Sequence, residues 1–145
     1  MNRIAYIGLG LAIGLTLGAA GMAVAQNAAV ATLPEPTAPM TNETLGSIDL
    51  GKAFPQMKGY RMAMSYRTVA PGAGRAMHSH AQGPEIVHAL TGVLSEQRQG
   101  QAPTTFGPGS TRINDEATVH AVINMGNQTA TFYSVSVLKV PTAPQ

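Results

Sequence analysis

The chain contains no cysteine, which excludes disulfides, thiolate nucleophiles, iron–sulfur clusters and thiolate zinc sites together. Any metal ion has to be held by imidazole, carboxylate or water. Charge is scarce as well: 11% of the residues are Asp, Glu, Lys or Arg, and the formal net charge is +2. So few cations cannot form a surface that neutralises a run of phosphates, so nucleic acid is not an expected partner. No long segment repeats its apolar residues at helical period, and no internal repeat is visible. What remains, in 145 residues, is enough chain for one domain with a hydrophobic core.

The N-terminus reads as an address. Arg3 precedes an apolar stretch from Ile4 to Leu17, and small residues then lead to Ala23-Val24-Ala25. This is the order of a secretory signal peptide, with cleavage expected after Ala25. If the segment is not cleaved, it is a membrane anchor; the glycines at 8, 10, 14, 18 and 21 make it a poor helix. Cleavage removes Arg3, takes the net charge to about +1, and leaves no stable membrane association. The mature protein is then periplasmic or secreted. Residues 26–43 are rich in Pro, Ala and Thr without alternation and read as a flexible tether. The folded domain is expected over 44–140, with a frayed tail over 141–145.

Within that domain, short β-favouring runs are separated by Gly and Pro, the signature of an all-β sandwich or barrel. Tyr60 to Arg67 alternates, with Tyr60, Met62, Met64 and Tyr66 expected to line the core and Arg61, Ser65 and Arg67 on a wet face. A turn at Pro71-Gly72-Ala73-Gly74 leads into the His78–His80 segment. Glu85 to Leu90 forms the next run, followed by Val93 to Gln97, Thr104 to Phe106, Thr118 to Asn124 and Thr129 to Val140. No helix is expected.

The chemistry concentrates in PGAGRAMHSHAQGPEIVHALTG. His78 and His80 are two apart, so on a strand both imidazoles leave the same face and can converge on one ion. Glu85 follows a short turn at the start of a strand that can pair with the first, where its carboxylate can supply a third ligand. His120, in a second β-type segment, is the candidate for the fourth. Three imidazoles and a carboxylate suit one divalent transition ion, Mn, Fe, Ni, Cu or Zn, better than Ca or Mg.

These residues also carry a resemblance. Gly72, His78, His80, Glu85 and Gly92 match every defined position of the first cupin motif, G(X)5HXH(X)3,4E(X)6G. His120 and Asn124 match the H(X)3N end of the second motif; its P-X-G element is absent, and Asp115-Glu116-Ala117 stands there instead. The chain resembles small single-domain cupins of the conserved-barrel type from about Leu45 to Val140. The resemblance implies a jelly-roll (double-stranded β-helix) barrel with a metal inside, ligated by His78, His80, Glu85 and His120. It also implies a homodimer paired through outer sheets. By analogy with quercetin dioxygenase-like cupins, it implies an oxidoreductase acting on a small metal-chelating substrate, with Glu85 as ligand or catalytic base. A non-catalytic exported cupin that binds a small molecule or metal is the other reading.

The remaining polar residues have plainer readings. His88 falls on the opposite face from Glu85 and is expected to point outward. Asp115 and Glu116 shape a turn. Arg61, Arg67, Arg75 and Arg98 read as a solvated face; of these, Arg75, just ahead of the ligand strand, is the one placed to contact an anionic substrate. The loop from Gln97 to Thr104 offers no acid of the kind that oxalate chemistry would need as a proton donor, and a germin-like protein would carry an N-terminal disulfide.

Overall fold

The computed structural model describes residues 31–140; the expected signal segment and tail lie outside the described residues. Two five-stranded sheets face each other. The first contains β1 (Ala38–Pro39), β4 (Ala73–Ser79), β6 (Leu94–Arg98), β7 (Thr104–Phe106) and β9 (Val119–Ile123), in the order β1-β4-β9-β6-β7. The second contains β2 (Thr41–Asp49), β3 (Tyr60–Val69), β5 (Glu85–Thr91), β8 (Thr111–Asn114) and β10 (Ala130–Lys139), in the order β2-β3-β10-β5-β8. All pairings are antiparallel except the short β1–β4 bridge. This is the expected all-β jelly roll. A four-residue helix at Leu50–Ala53, capped by the Asp49 carboxylate on the Gly51 N–H at 2.9 Å, and a 3-10 turn at Pro55–Met57 were not expected.

The core sits between the sheets, where inward residues of alternate period meet: Val69, Val87, Leu94, Phe106, Val122 and Phe132 are buried among small residues such as Ala73 and Ala89. The two glycines that end the first motif are needed for their backbone. Gly72 and Gly92 have φ of 75° and 69°, and a Cβ on Gly92 would lie 2.7 Å from the Ala130 Cα.

Two expectations are corrected. The alternation in β3 is real, but its faces are reversed: Ala63 is 4% exposed and Ser65 is buried, whereas Met64 is 40% exposed. Period 2 defines two faces without saying which one meets the core. Here the inner face carries Ser65 and Arg67 between Ala63 and Val69, with Arg67 lining the cavity, and Met62 and Met64 are not barrel lining. The tether also ends earlier than residue 43, because β2 begins at Thr41 and Met40 packs against the core. Upstream of it, Gln97 donates from Nε2 to the Ala31 carbonyl at 2.9 Å and accepts from the Leu33 N–H at 2.8 Å. That strap covers Gln97 on β6, a strand whose residues Leu94 to Gln97 are all buried.

Candidate metal centre

β4 and β9 pair with His78 opposite His120, and the register shifts between Arg75 and His78. Two residues of β4 bulge against one of β9 there, a device that re-aims side chains beside functional sites. The bulge places both Arg75 and His78 along the same cavity, although they are three apart. His80 lies just past β4, held by its N–H to the Thr118 carbonyl at 2.9 Å.

The three imidazoles meet. His78 Nε2 is 3.2 Å from His80 Nε2, which is 3.0 Å from His120 Nε2, and one ligand atom from each residue lies within 4.8 Å of the others. The outer nitrogens determine what the inner ones carry. Nδ1 of His78 faces the Ala76 carbonyl at 2.8 Å, Nδ1 of His80 the Gly83 carbonyl at 2.9 Å, and Nδ1 of His120 the Glu96 carboxylate at 2.7 Å. Each Nδ1 faces an acceptor and so carries the proton, assigning the tautomer with a bare lone pair on every Nε2. Three lone pairs aimed at one point repel unless a cation sits among them. Burial lowers His78 from an ordinary 6.5 to about 4, against the Ala76 hydrogen bond, and also lowers His80, so protons are poor candidates.

A transition ion fits this donor set. Two nitrogens at right angles and about 2.1 Å from an ion stand about 3.0 Å apart, close to the observed 3.0 and 3.2 Å. Three imidazole donors at that spacing would suit a divalent transition ion.

Glu85 lines the same cavity but stands outside the group of three. Its Oε1 accepts from Arg67 Nη2 at 3.0 Å and from Ser136 Oγ at 3.1 Å. Arg67 is therefore inside the barrel rather than on a solvated face. Arg98 is likewise engaged, donating to the Ile113 carbonyl at 2.9 Å and the Asn114 side chain at 3.2 Å. His88 does point outward, where it meets Thr111 Oγ1 at 3.0 Å, and Asp115 accepts from Thr118 Oγ1 at 2.7 Å within its turn.

Glu96 was not singled out by sequence. It is 3% exposed, and besides His120 it faces Arg98 at 3.4 Å and Arg112 at 3.1 Å. Burial disfavours its charge, but the His120 hydrogen bond and the two guanidiniums outweigh this and hold the carboxyl below its ordinary value. An ionised carboxylate on Nδ1 of a metal-ligating histidine fixes the ring and strengthens its donor nitrogen. The signal was its parity with Leu94, which put an acid on an inward face. Asn124 has a structural role: its Nδ2 donates to the Val69 and Gln128 carbonyls at 2.8 and 2.7 Å, and its Oδ1 accepts from the Gly126 N–H at 2.9 Å.

Comparison with known proteins agrees with the fold. Residues 65–136 match the family described as "Cupin domain". A Cupin 2 conserved barrel domain protein from Salinispora arenicola superposes with TM-score 0.51 at 22% identity, covering 67% of this chain and 74% of that one. A double-stranded β-helix protein from Klebsiella pneumoniae gives 0.55 at 15%, covering 76% and 91%, and KdgF from Halomonas sp. gives 0.55 at 11%, covering 69% and 79%. At these identities the structures establish the fold alone. No curated protein is similar in sequence. The fold is a cupin-type barrel whose three-histidine cluster is able to hold an ion, and residues 65–136 carry the match to the cupin-domain family.

Proposed function

We propose that this is an exported, metal-dependent cupin that acts as an oxidoreductase of the dioxygenase-like kind on a small metal-chelating substrate. The observation that carries the reading is the set of three Nε2 lone pairs converging within the barrel. His78, His80 and His120 would hold the ion, and Glu85 would complete the set through Oε2 while its Oε1 keeps Arg67. Bound there, a divalent transition ion supplies Lewis acidity and a site for dioxygen or a chelating oxygen. The protein contributes Glu96, which orients His120, and the polar Ser65 and Arg67 on the inner face of β3. The cavity leaves about 30 Å3 open to the centres of water-sized groups, room for two or three of them. That space suits a small chelator.

The receptor reading is favoured by one observation: the cavity carboxylates of Glu85 and Glu96 are both engaged by arginines, leaving neither idle as a base. Elemental analysis, followed by dioxygen uptake with enediols, flavonols and small 2-oxo acids, separates the two. Uptake with a small chelator supports the enzyme, whereas tight binding of an intact molecule without uptake supports the receptor.

Export rests on the pattern before residue 26, and mass spectrometry should find Gln26 as the first residue of the mature protein. Among the described residues no helix is long and apolar enough to cross a membrane. A homodimer is supported by the outer face of the β2-containing sheet, where register aligns Met64, Val135, Ile86 and Ile113 across four strands, all of them exposed.

A further inference from the structure

Arg75 is the cavity-lining guanidinium left over once the ion pairs are assigned. Arg67 is bound to Glu85 at 3.0 Å, and Arg112 to Glu96 at 3.1 Å. Arg75 forms no ion pair with any described residue, yet it lines the same cavity as His78 and His120. Its position is built rather than incidental. Without the bulge after it, Arg75 would leave the opposite face of β4 from His78; with the bulge, it stands opposite Val122, a buried cavity residue, one ladder step from the His78–His120 pair. Its side chain is exposed overall while lining the cavity, which places it at the mouth. The guanidiniums and carboxylates of the wall leave one positive charge uncompensated, and a divalent ion on the histidines would add two more. Burial, and after it nearby Arg67, disfavours the charge on Arg75, with Glu85 offsetting part of this, so an anion there would relieve it.

We propose that Arg75 and the three-histidine centre together form a subsite for a small carboxylate, an acid of two or three carbons whose carboxylate meets the guanidinium while a neighbouring oxygen reaches the metal. The proposal rests on the metal-centre reading and adds its substrate class. A guanidinium suits this role because its fork presents two parallel donors to a carboxylate. Room for only two or three water-sized groups limits the bulk at the carbon beside the carboxylate.

The test uses the mature protein with its metal content measured first, and calorimetric titration with glycolate, with the neutral isostere hydroxyacetone, and with benzilate, which carries the same 2-hydroxy acid but two phenyl groups. Wild type is expected to bind glycolate at least about tenfold tighter than hydroxyacetone. Arg75→Met should lose about 10- to 100-fold in glycolate affinity, in keeping with a charge-assisted pair, with hydroxyacetone and metal content unchanged. Arg75→Lys, which keeps the charge without the fork, should fall between the two and guards against a folding defect in the first variant. Benzilate should not bind. Wild-type glycolate affinity in Arg75→Met, or no glycolate binding to metal-loaded wild type, overturns the carboxylate subsite alone. Tight benzilate binding overturns the size limit, and a wild-type protein that takes up no metal removes both this inference and the reading beneath it.

Discussion

Replacing Glu96 by Gln tests whether the buried carboxylate tunes the site or only fills space. The amide keeps the volume and can still accept from His120 Nδ1, now at 2.7 Å from Oε1, but it no longer carries the charge that holds Arg98 and Arg112. Those two side chains are 33% and 30% exposed, so solvent screens part of the loss. The cost to the metal-free fold should be about 1–2 kcal/mol, below the ~3–5 kcal/mol of breaking a fully buried pair. At the metal the effect runs through the basicity and orientation of His120. Loss of such a partner usually weakens metal binding about 10- to 100-fold, equivalent to ~1.4–2.8 kcal/mol. Competition against a chromophoric chelator reads the affinity, and chemical denaturation of the metal-free protein reads the fold. Metal affinity within about twofold of wild type, with the fold intact, would refute the assignment of Glu96 as the positioning group for His120.

Other consequences follow from the same geometry. Asn124→Ala strands the buried Val69 carbonyl and removes the turn's bond to the Gln128 carbonyl and should cost about 1–3 kcal/mol in denaturant melts while leaving metal stoichiometry intact; a change below experimental error would show that the turn does not need this side chain. Gly92→Ala forces a side chain onto φ of 69° against Ala130 and should cost at least about 1–3 kcal/mol; an unchanged melting temperature would contradict it. The metal-free protein should lose stability as pH falls from 6.5 toward 4, because the unfolded chain takes a proton at His78 near 6.5 and the folded one only near 4. Below that window both states are protonated and the slope should flatten, and His78→Asn should show a shallower slope across it; identical profiles for the two proteins would contradict the assignment.

How much could be read in advance depended on how local the information was. His78, His80 and the two motif glycines lie within 21 residues of continuous chain from Gly72 to Gly92, where strand parity and short turns define the geometry. His120 was recoverable because its H(X)3N spacing has a structural cause, since Asn124 closes the hairpin that follows β9. Glu96 was not recoverable in the same way. A buried acid is intelligible only with its partners, and these come from β6, β8 and β9, which the fold brings together and sequence order does not. The reversal of β3 has a different cause, since alternation is blind to which face is inward and the inner face here includes the polar Ser65 and Arg67. The strap over β6 was missed because its Pro-rich segment gains structure from Gln97, a distant side chain.

The central claim is that His78, His80 and His120 hold one divalent transition ion. Elemental analysis of the purified mature protein should give one such ion per chain, and each of His78→Ala, His80→Ala and His120→Ala, folded by circular dichroism, should lose it. Full metal occupancy in all three folded variants, or a wild type that takes up no ion when offered Mn, Fe, Ni, Cu and Zn in turn, would contradict the account.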